Sequence, residues 1–411
     1  MGKRLAAIVV IFLCTTVAWV ILGSTILART YSLGPNLKDK VASTWGTRQE
    51  QKPATAWYLS EGTRSEEYQE KGQTRTREVK VSKQEYLSLE SSRVNVVLNL
   101  EHRQKGLLWY ATYKVDFGGD YRFTNHSGKQ QKVEFELPYP SERAIYDDLQ
   151  FSIDGKPVEV ATSGGHAQAQ ALVPAGATVT LHSGYKSQGL DEWKYSLGEN
   201  VSQVKDFLLT MKTDFKAIDF PEQTLSPSKK TETGNGWLLE WSYKNLVSGY
   251  DIGMTMPEKL QPGPLAGEIS YFAPVSLLFF FFLIFIITTL RNLELHPMNY
   301  FFLATAFFAF HLLLAYLVDH VSIHLAFVIS SIVSVFLVVS YLRLVIGMRF
   351  AALEAGGAQL IYLVLFSYAF FFKGYTGLAV TIGAIITLFV VMQMTGRIRW
   401  SEKFAALPAK A

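Results

Sequence analysis

The chain has 411 residues, 49% hydrophobic and 18% charged, with a formal net charge of +4 and one cysteine. So small a positive balance, with no Lys/Arg run interleaved with aromatics, argues against nucleic-acid binding. The lone Cys14 excludes an intramolecular disulfide and a thiolate metal site. Charge is concentrated between residues 29 and 268, which predicts one membrane part and one soluble part of about 240 residues, long enough for a core of its own or for two modules.

Lys3 and Arg4 precede the apolar stretch Leu5 to Ala28, which is longer than a usual signal-peptide core. It ends in Ile26-Leu27-Ala28, a bulky residue where a cleavage site wants a small one. Residues 1–28 are expected to be an uncleaved transmembrane anchor. Residues 29–92 are polar, with Trp45, Trp57, Tyr58 and Tyr86 as the few apolar anchors, and read as a helical or extended stalk.

From Arg93 the apolar period becomes two. Val94, Val96, Leu98 and Leu100 alternate with polar residues, then Trp109, Ala111, Tyr113, Val115 and Phe117 do the same. The pattern returns at Val133, Phe135 and Leu137, at Phe207, Leu209 and Met211, and at Trp237, Leu239, Trp241 and Tyr243. Turn signals such as Asp154-Gly155 and Gly234-Asn235-Gly236 separate the runs. Short strands with one wet face predict a β-rich domain over 93–256, an antiparallel sandwich. The prolines from Pro257 to Pro264 predict a stiff linker within 257–268 that continues neither strand nor helix.

Residues 269–396 hold five apolar segments, Ile269 to Leu290, Met298 to Val318, Val321 to Ile346, Gly357 to Phe372 and Gly374 to Thr395. Each runs roughly 16 to 26 residues, close to the ~20 a helix needs to cross hydrocarbon. The expected fold is therefore membrane α-helical, with six transmembrane helices, plus a mainly-β domain, and a cytoplasmic tail from 397 to 411. With Lys3 and Arg4 inside, both termini are cytoplasmic and the β domain is periplasmic. The inner flanks then hold Arg291, Arg343, Arg349, Arg397, Arg399 and Lys403, against Asp319, His320 and the single cation Lys373 in the outer turns, as the positive-inside rule expects. Tyr300, Tyr341, Tyr375 and Trp400 fall near span ends, whereas Trp19 lies deeper and reads as packing.

At residues 291 to 346 the order Arg291, Glu294, His296-Pro297-Met298-Asn299-Tyr300, an aromatic helix and then Asp319-His320 resembles the C-terminal region of the CreD family of bacterial inner-membrane proteins. Val41-Ala42-Ser43-Thr44-Trp45-Gly46 with Gln49 is similar to that family's Ser-x-x-Trp-Gly-x-x-Gln element, although Lys52-Pro53 replaces the Gly-Pro that follows it. Residues 60 to 230 carry no such likeness. The resemblance implies a cytoplasmic-membrane protein with a periplasmic domain, linked to cell-envelope integrity and envelope stress. It brings no catalytic residue and no ligand.

Ionisable groups inside spans suggest function. His311 is the clearest: either a neutral imidazole donating to a carbonyl or hydroxyl of a neighbouring helix, such as Ser330, Ser331 or Ser334, or a proton-linked or ligand-binding group. Asp319, His320 and His324 lie at the outer surface. The two histidines, four apart, would share a helix face as weak metal-ligand candidates, or Asp319 would simply cap the next span. His296 opens a span beside Pro297, which fits a structural start. His102, His126, His166 and His182 read as exposed turn residues. No nucleophile elbow or phosphate loop appears, so a non-enzymatic protein is expected, without cofactor or metal. The expected partners are membrane lipid and a periplasmic protein or other envelope component, with no nucleic acid. The alternative is a small transporter or lipid-handling protein using His311 and the outer Asp319/His320/His324 cluster. A metal-dependent enzyme is the least supported reading.

Overall fold

The structure is a computed structural model that describes residues 2–70, 73–106, 108–198, 202–372 and 374–396. The side chain of Lys3, residues Lys373, Arg397, Arg399, Trp400 and Lys403 and the expected tail 397–411 lie outside the described residues. The chain divides into two compact units: Met1–Pro35, Gly106–Leu108 and Leu260–Ala411 in one, Asn36–Lys105 and Trp109–Lys259 in the other.

The second unit is mainly β. Its strands are β1 (Gln49–Gln51), β2 (Thr55–Glu70), β3 (Gln73–Tyr86), β4 (Ser88–Lys105), β5 (Leu108–Thr124), β6 (Gln131–Pro138), β7 (Tyr146–Ile153) and β8 (Lys156–Pro157). There follow β9 (Ala161–Ser163), β10 (His166–Val173), β11 (Thr178–Leu190), β12 (Glu192–Tyr195), β13 (Ser202–Thr213), β14 (Lys229–Thr233), β15 (Gly236–Ser248) and β16 (Ile252–Thr255). One sheet has the order β14-β15-β13-β4-β5-β11-β7-β8, a second β3-β2-β6-β10-β9, and a third β1-β12-β16. The pairs β1–β12 and β13–β4 are parallel.

The alternating residues do what their period implies. Val94, Val96 and Leu98 of β4, Tyr113, Val115 and Phe117 of β5, and Val133, Phe135 and Leu137 of β6 are all buried in one shared core. Phe123 of the first sheet meets Phe135 of the second edge-on at 6.0 Å. The core also takes four buried tyrosines, each with a polar partner, as buried hydroxyls require. Tyr185 donates to Gln51 Oε1 at 2.7 Å, Tyr113 donates to the Glu192 carbonyl at 2.8 Å, and the Tyr121 and Tyr195 hydroxyls meet at 3.3 Å.

The stretch expected as a stalk is a correction. Helix α1 (Gly2–Trp45) runs well past Ala28, where the apolar run stops, because nothing in Arg29–Thr44 breaks a helix except the Gly34-Pro35 pair. It ends at Gly46, whose φ of +121° suits glycine alone. Residues beyond it are strands of the β unit. β2 pairs with β6 only over Thr55–Trp57, and from Tyr58 opposite Glu85 to Glu70 opposite Gln73 it pairs with β3 alone. At ~3.3 Å per residue this two-stranded arm is about 40 Å long. None of its described side chains from 59 to 66 or from 78 to 86 is buried, so no apolar alternation marks it in the sequence.

In the first unit, α2 (Pro262–Leu290), α3 (Pro297–Leu317), α4 (Ile323–Val345), α5 (Phe350–Phe371) and α6 (Thr376–Thr395) follow one another. With α1 they give six helices, among the described residues, long and apolar enough to cross a membrane. Two boundaries differ from expectation. Pro262 and Pro264 lie inside α2, not in a linker, because the first turn of a helix has no use for the proline N–H. α5 starts at Phe350, seven residues before Gly357, since Glu354 breaks the apolar run but is neutralised by an ion pair with Arg291. Much of α5 is wound as π-helix, at Phe350–Ala355 and Leu360–Leu365.

Candidate intramembrane polar site

Close approach of α1 to α2 depends on small residues. A Cβ on Gly23 would lie 3.0 Å from the Tyr271 ring, one on Gly267 2.7 Å from Leu27, and one on Gly263 2.6 Å from the Thr30 hydroxyl. These pairs run in opposite directions along the two helices, so α1 and α2 are antiparallel, with Trp19 level with the turn that holds Ser276. α2 and α3 are antiparallel as well. Phe281 meets Tyr300 at 5.2 Å and Phe280 meets Phe307 at 4.7 Å. One turn further, Ser276 stands level with His311.

His311 is fully buried. Its Nδ1 lies 3.0 Å from the Phe307 carbonyl, one turn back on its own helix. A carbonyl can only accept, so Nδ1 carries the proton, and Nε2 has no partner. The ring meets Trp19 edge-on at 5.8 Å and Phe310 at 4.9 Å. Trp19 Nε1 and Ser276 Oγ are also buried and unpaired, and both side chains are fully buried. Bonding to Ser330, Ser331 or Ser334 is therefore not what holds the imidazole.

Two of those serines have other partners. Ser334 donates to the Ala306 carbonyl at 2.6 Å and accepts from Gln359 Nε2 at 2.6 Å, while Ser331 donates to the Phe327 carbonyl at 2.7 Å. Ser330 Oγ and Gln359 Oε1 stay buried and unpaired.

Asp319 and His324 engage different partners. Asp319 pairs with Arg29 of α1 at 3.2 Å. His324 lies on α4 with its ring 5.1 Å from Phe371. His320 stands in the turn before α4 begins at Ile323, so helical spacing does not apply to the two histidines. The cap of α4 is Ser322, which accepts from Leu325 N, and not Asp319. Among the described residues no group of three His, Cys, Asp or Glu could hold a metal. His296 caps α3, its Nδ1 accepting from Met298 N at 3.2 Å.

Histidines of the β unit lie mostly on strands, not in turns. His182 Nδ1 sits 2.7 Å from Asp120, and His102 Nε2 sits 2.8 Å from the Pro257 carbonyl. A separate cavity of about 380 Å³ opens between α2, α5 and α6. Its lining is apolar apart from Tyr362 and Thr387, whose hydroxyls bond each other at 2.9 Å.

No curated protein matches the chain. Among solved structures, a candidate nutrient binding protein from Legionella pneumophila is similar at 11% identity and a TM-score of 0.31, over 47% of this chain and 73% of that one. An M1 zinc metallopeptidase from Deinococcus radiodurans is similar at 8% identity and a TM-score of 0.24, over 41% of this chain and 42% of that one. Scores this low carry no argument about fold or chemistry. Residues 269–401 match the family model described as inner membrane protein CreD, which supports that family for the C-terminal membrane region and does not reach the N-terminal element at Val41–Gln49.

Proposed function

We propose that this chain is a CreD-type inner-membrane protein with both termini in the cytoplasm and its β unit, a sandwich of the two larger sheets, in the periplasm. There it serves cell-envelope integrity by binding a periplasmic or other envelope partner, without catalysis. The observation that carries this reading is the family match over residues 269–401. The charge pattern agrees with it: Arg291, Arg343 and Arg349 flank one set of span ends, and Asp319 the other. The open arm of β2 and β3 offers a partner two unpaired strand edges.

Deleting the gene and measuring sensitivity to detergent, osmotic shock and envelope-directed antibiotics tests the proposal. Increased sensitivity, restored by the full chain, is the expected result. Unchanged sensitivity removes the envelope role.

The apolar cavity favours a second reading, a small transporter or lipid-handling protein. His311 would serve it inside the helical unit, with Asp319, His320 and His324 at the outer end. Transport or lipid transfer that survives His311→Ala unchanged would remove that reading's main support.

A further inference from the structure

Trp19, Ser276 and His311 come from three different helices and present three buried polar atoms without a hydrogen-bond partner. Their hydrogen-bonding capacities are fixed by chemistry. The indole N–H only donates, the serine hydroxyl donates or accepts, and Nε2 of an imidazole whose Nδ1 is protonated only accepts. Two helix-pair registers put the three at one level, with Gly23 and Gly267 setting α1 against α2 and Phe280 against Phe307 setting α2 against α3, and Trp19 touches His311 directly. In hydrocarbon no bulk water relieves an unpaired group, so three at one place mark a missing partner.

We infer that Trp19, Ser276 and His311 form a binding site for a single hydroxyl group. That hydroxyl donates its hydrogen to His311 Nε2 and accepts from the Trp19 N–H and the Ser276 O–H. Three-fold hydrogen bonding of this kind, one bond donated and two accepted, is what a hydroxyl supplies, and neither a carbonyl nor an ammonium supplies both halves. An ion does not suit the site, because the neighbouring rings are Phe308 on Trp19 at 5.5 Å and Phe310 on His311, with no counter-charge among them. A water molecule and the hydroxyl of a membrane-soluble alcohol share this chemistry. The site rests on neither reading of the protein's function given above.

The test uses the full chain, with ¹⁵N-labelled histidine, in nanodiscs of phosphatidylethanolamine and phosphatidylglycerol, observed by solid-state NMR. The His311 signals are those lost in His311→Asn. Nε2 is expected to be unprotonated and shifted upfield of the free-imidazole position. Ser276→Ala and Trp19→Phe should each reduce the shift, and Ser276→Thr, which keeps the hydroxyl and guards against a folding defect, should retain it. A cross-peak from exchangeable water protons to Nε2 identifies water as the occupant. No such cross-peak, together with a mass adduct in native spectra that Trp19→Phe removes, identifies an alcohol. An Nε2 at the unbonded position in the unaltered chain, or a shift indifferent to both Ser276→Ala and Trp19→Phe, overturns the inference.

Discussion

Ser24 of α1 and Tyr271 of α2 share a hydrogen bond of 2.5 Å between their hydroxyls, beside Gly23, whose missing side chain is what lets the tyrosine ring lie flat on α1. Van der Waals fit and such bonds, not hydrophobic exclusion, drive helix association in lipid. Gly23→Leu is therefore expected to lower stability by about 1–3 kcal/mol through overpacking. Thermal unfolding of the detergent-solubilised chain measures it, and an unchanged midpoint would show that α1 does not pack as described.

Asn125 holds a turn of the β unit from inside. Its amide donates to the carbonyls of Lys129, Val173 and Pro174, each at 3.0 Å, and its Oδ1 accepts from Ser127 N at 3.0 Å and Ser127 Oγ at 2.7 Å. Asn125→Ala leaves several buried groups unpaired and should cost about 3 kcal/mol by chemical unfolding. Asn125-His126-Ser127 also spells a glycosylation sequon, yet the asparagine is fully buried. Expression in a glycosylating host should leave it unmodified, as intact mass would show.

The described side chains of the β2–β3 arm bury almost nothing, and an isolated hairpin is marginal in water. Replacing residues 60–83 by Asn-Gly, a pair that suits a two-residue hairpin turn, should change the stability of the β unit by no more than about 1 kcal/mol. Envelope function, if the arm carries it, should fall while folding persists. A large loss of stability would mean that the arm supports the core.

Burial pushes several β-unit phenols up. Tyr113, Tyr185 and Tyr195 lie well above the ordinary tyrosine value, and Tyr121 is raised too. Desolvation lifts Tyr146 to about 12, against a smaller lowering by its bond to Ser141. A phenol whose folded value is raised contributes its full stability below the unfolded value of ~10, and loses it as pH rises towards the folded value. Absorbance titration of the 20 tyrosines should therefore show two classes, the later one opening only near alkaline unfolding. Tyr146→Phe should remove one residue from the late class, and a single smooth class would contradict the buried placement.

Much of this was legible in the sequence, for identifiable reasons. Runs such as Leu277 to Leu283 admit no solvent other than lipid or a bundle interior, and the period-two runs at Val94–Leu98 and Phe207–Met211 became buried strand faces. What escaped was whatever depends on a partner far along the chain. Glu354 hid the start of α5 because Arg291 neutralises it. The arm escaped because its described side chains are unburied on both faces. His311 stood out as an ionisable group within a span, but Trp19 read only as packing and Ser276 carried no signal. Their convergence needs two helix registers that no local pattern contains. The spacing of His320 and His324 misled for the opposite reason: it assumes a helix that begins only at Ile323.

The side of the membrane on which the β unit lies is the claim on which the proposed function turns. With Cys14 replaced by serine, cysteines introduced at Glu61→Cys in the exposed arm and at Met348→Cys in the turn between α4 and α5, where Met348 is 61% exposed, can be probed with a membrane-impermeant maleimide. In cells whose outer membrane alone is permeabilised, Glu61→Cys is expected to label at once and Met348→Cys only after the inner membrane is lysed. The reverse order of labelling would place the β unit in the cytoplasm and contradict the account.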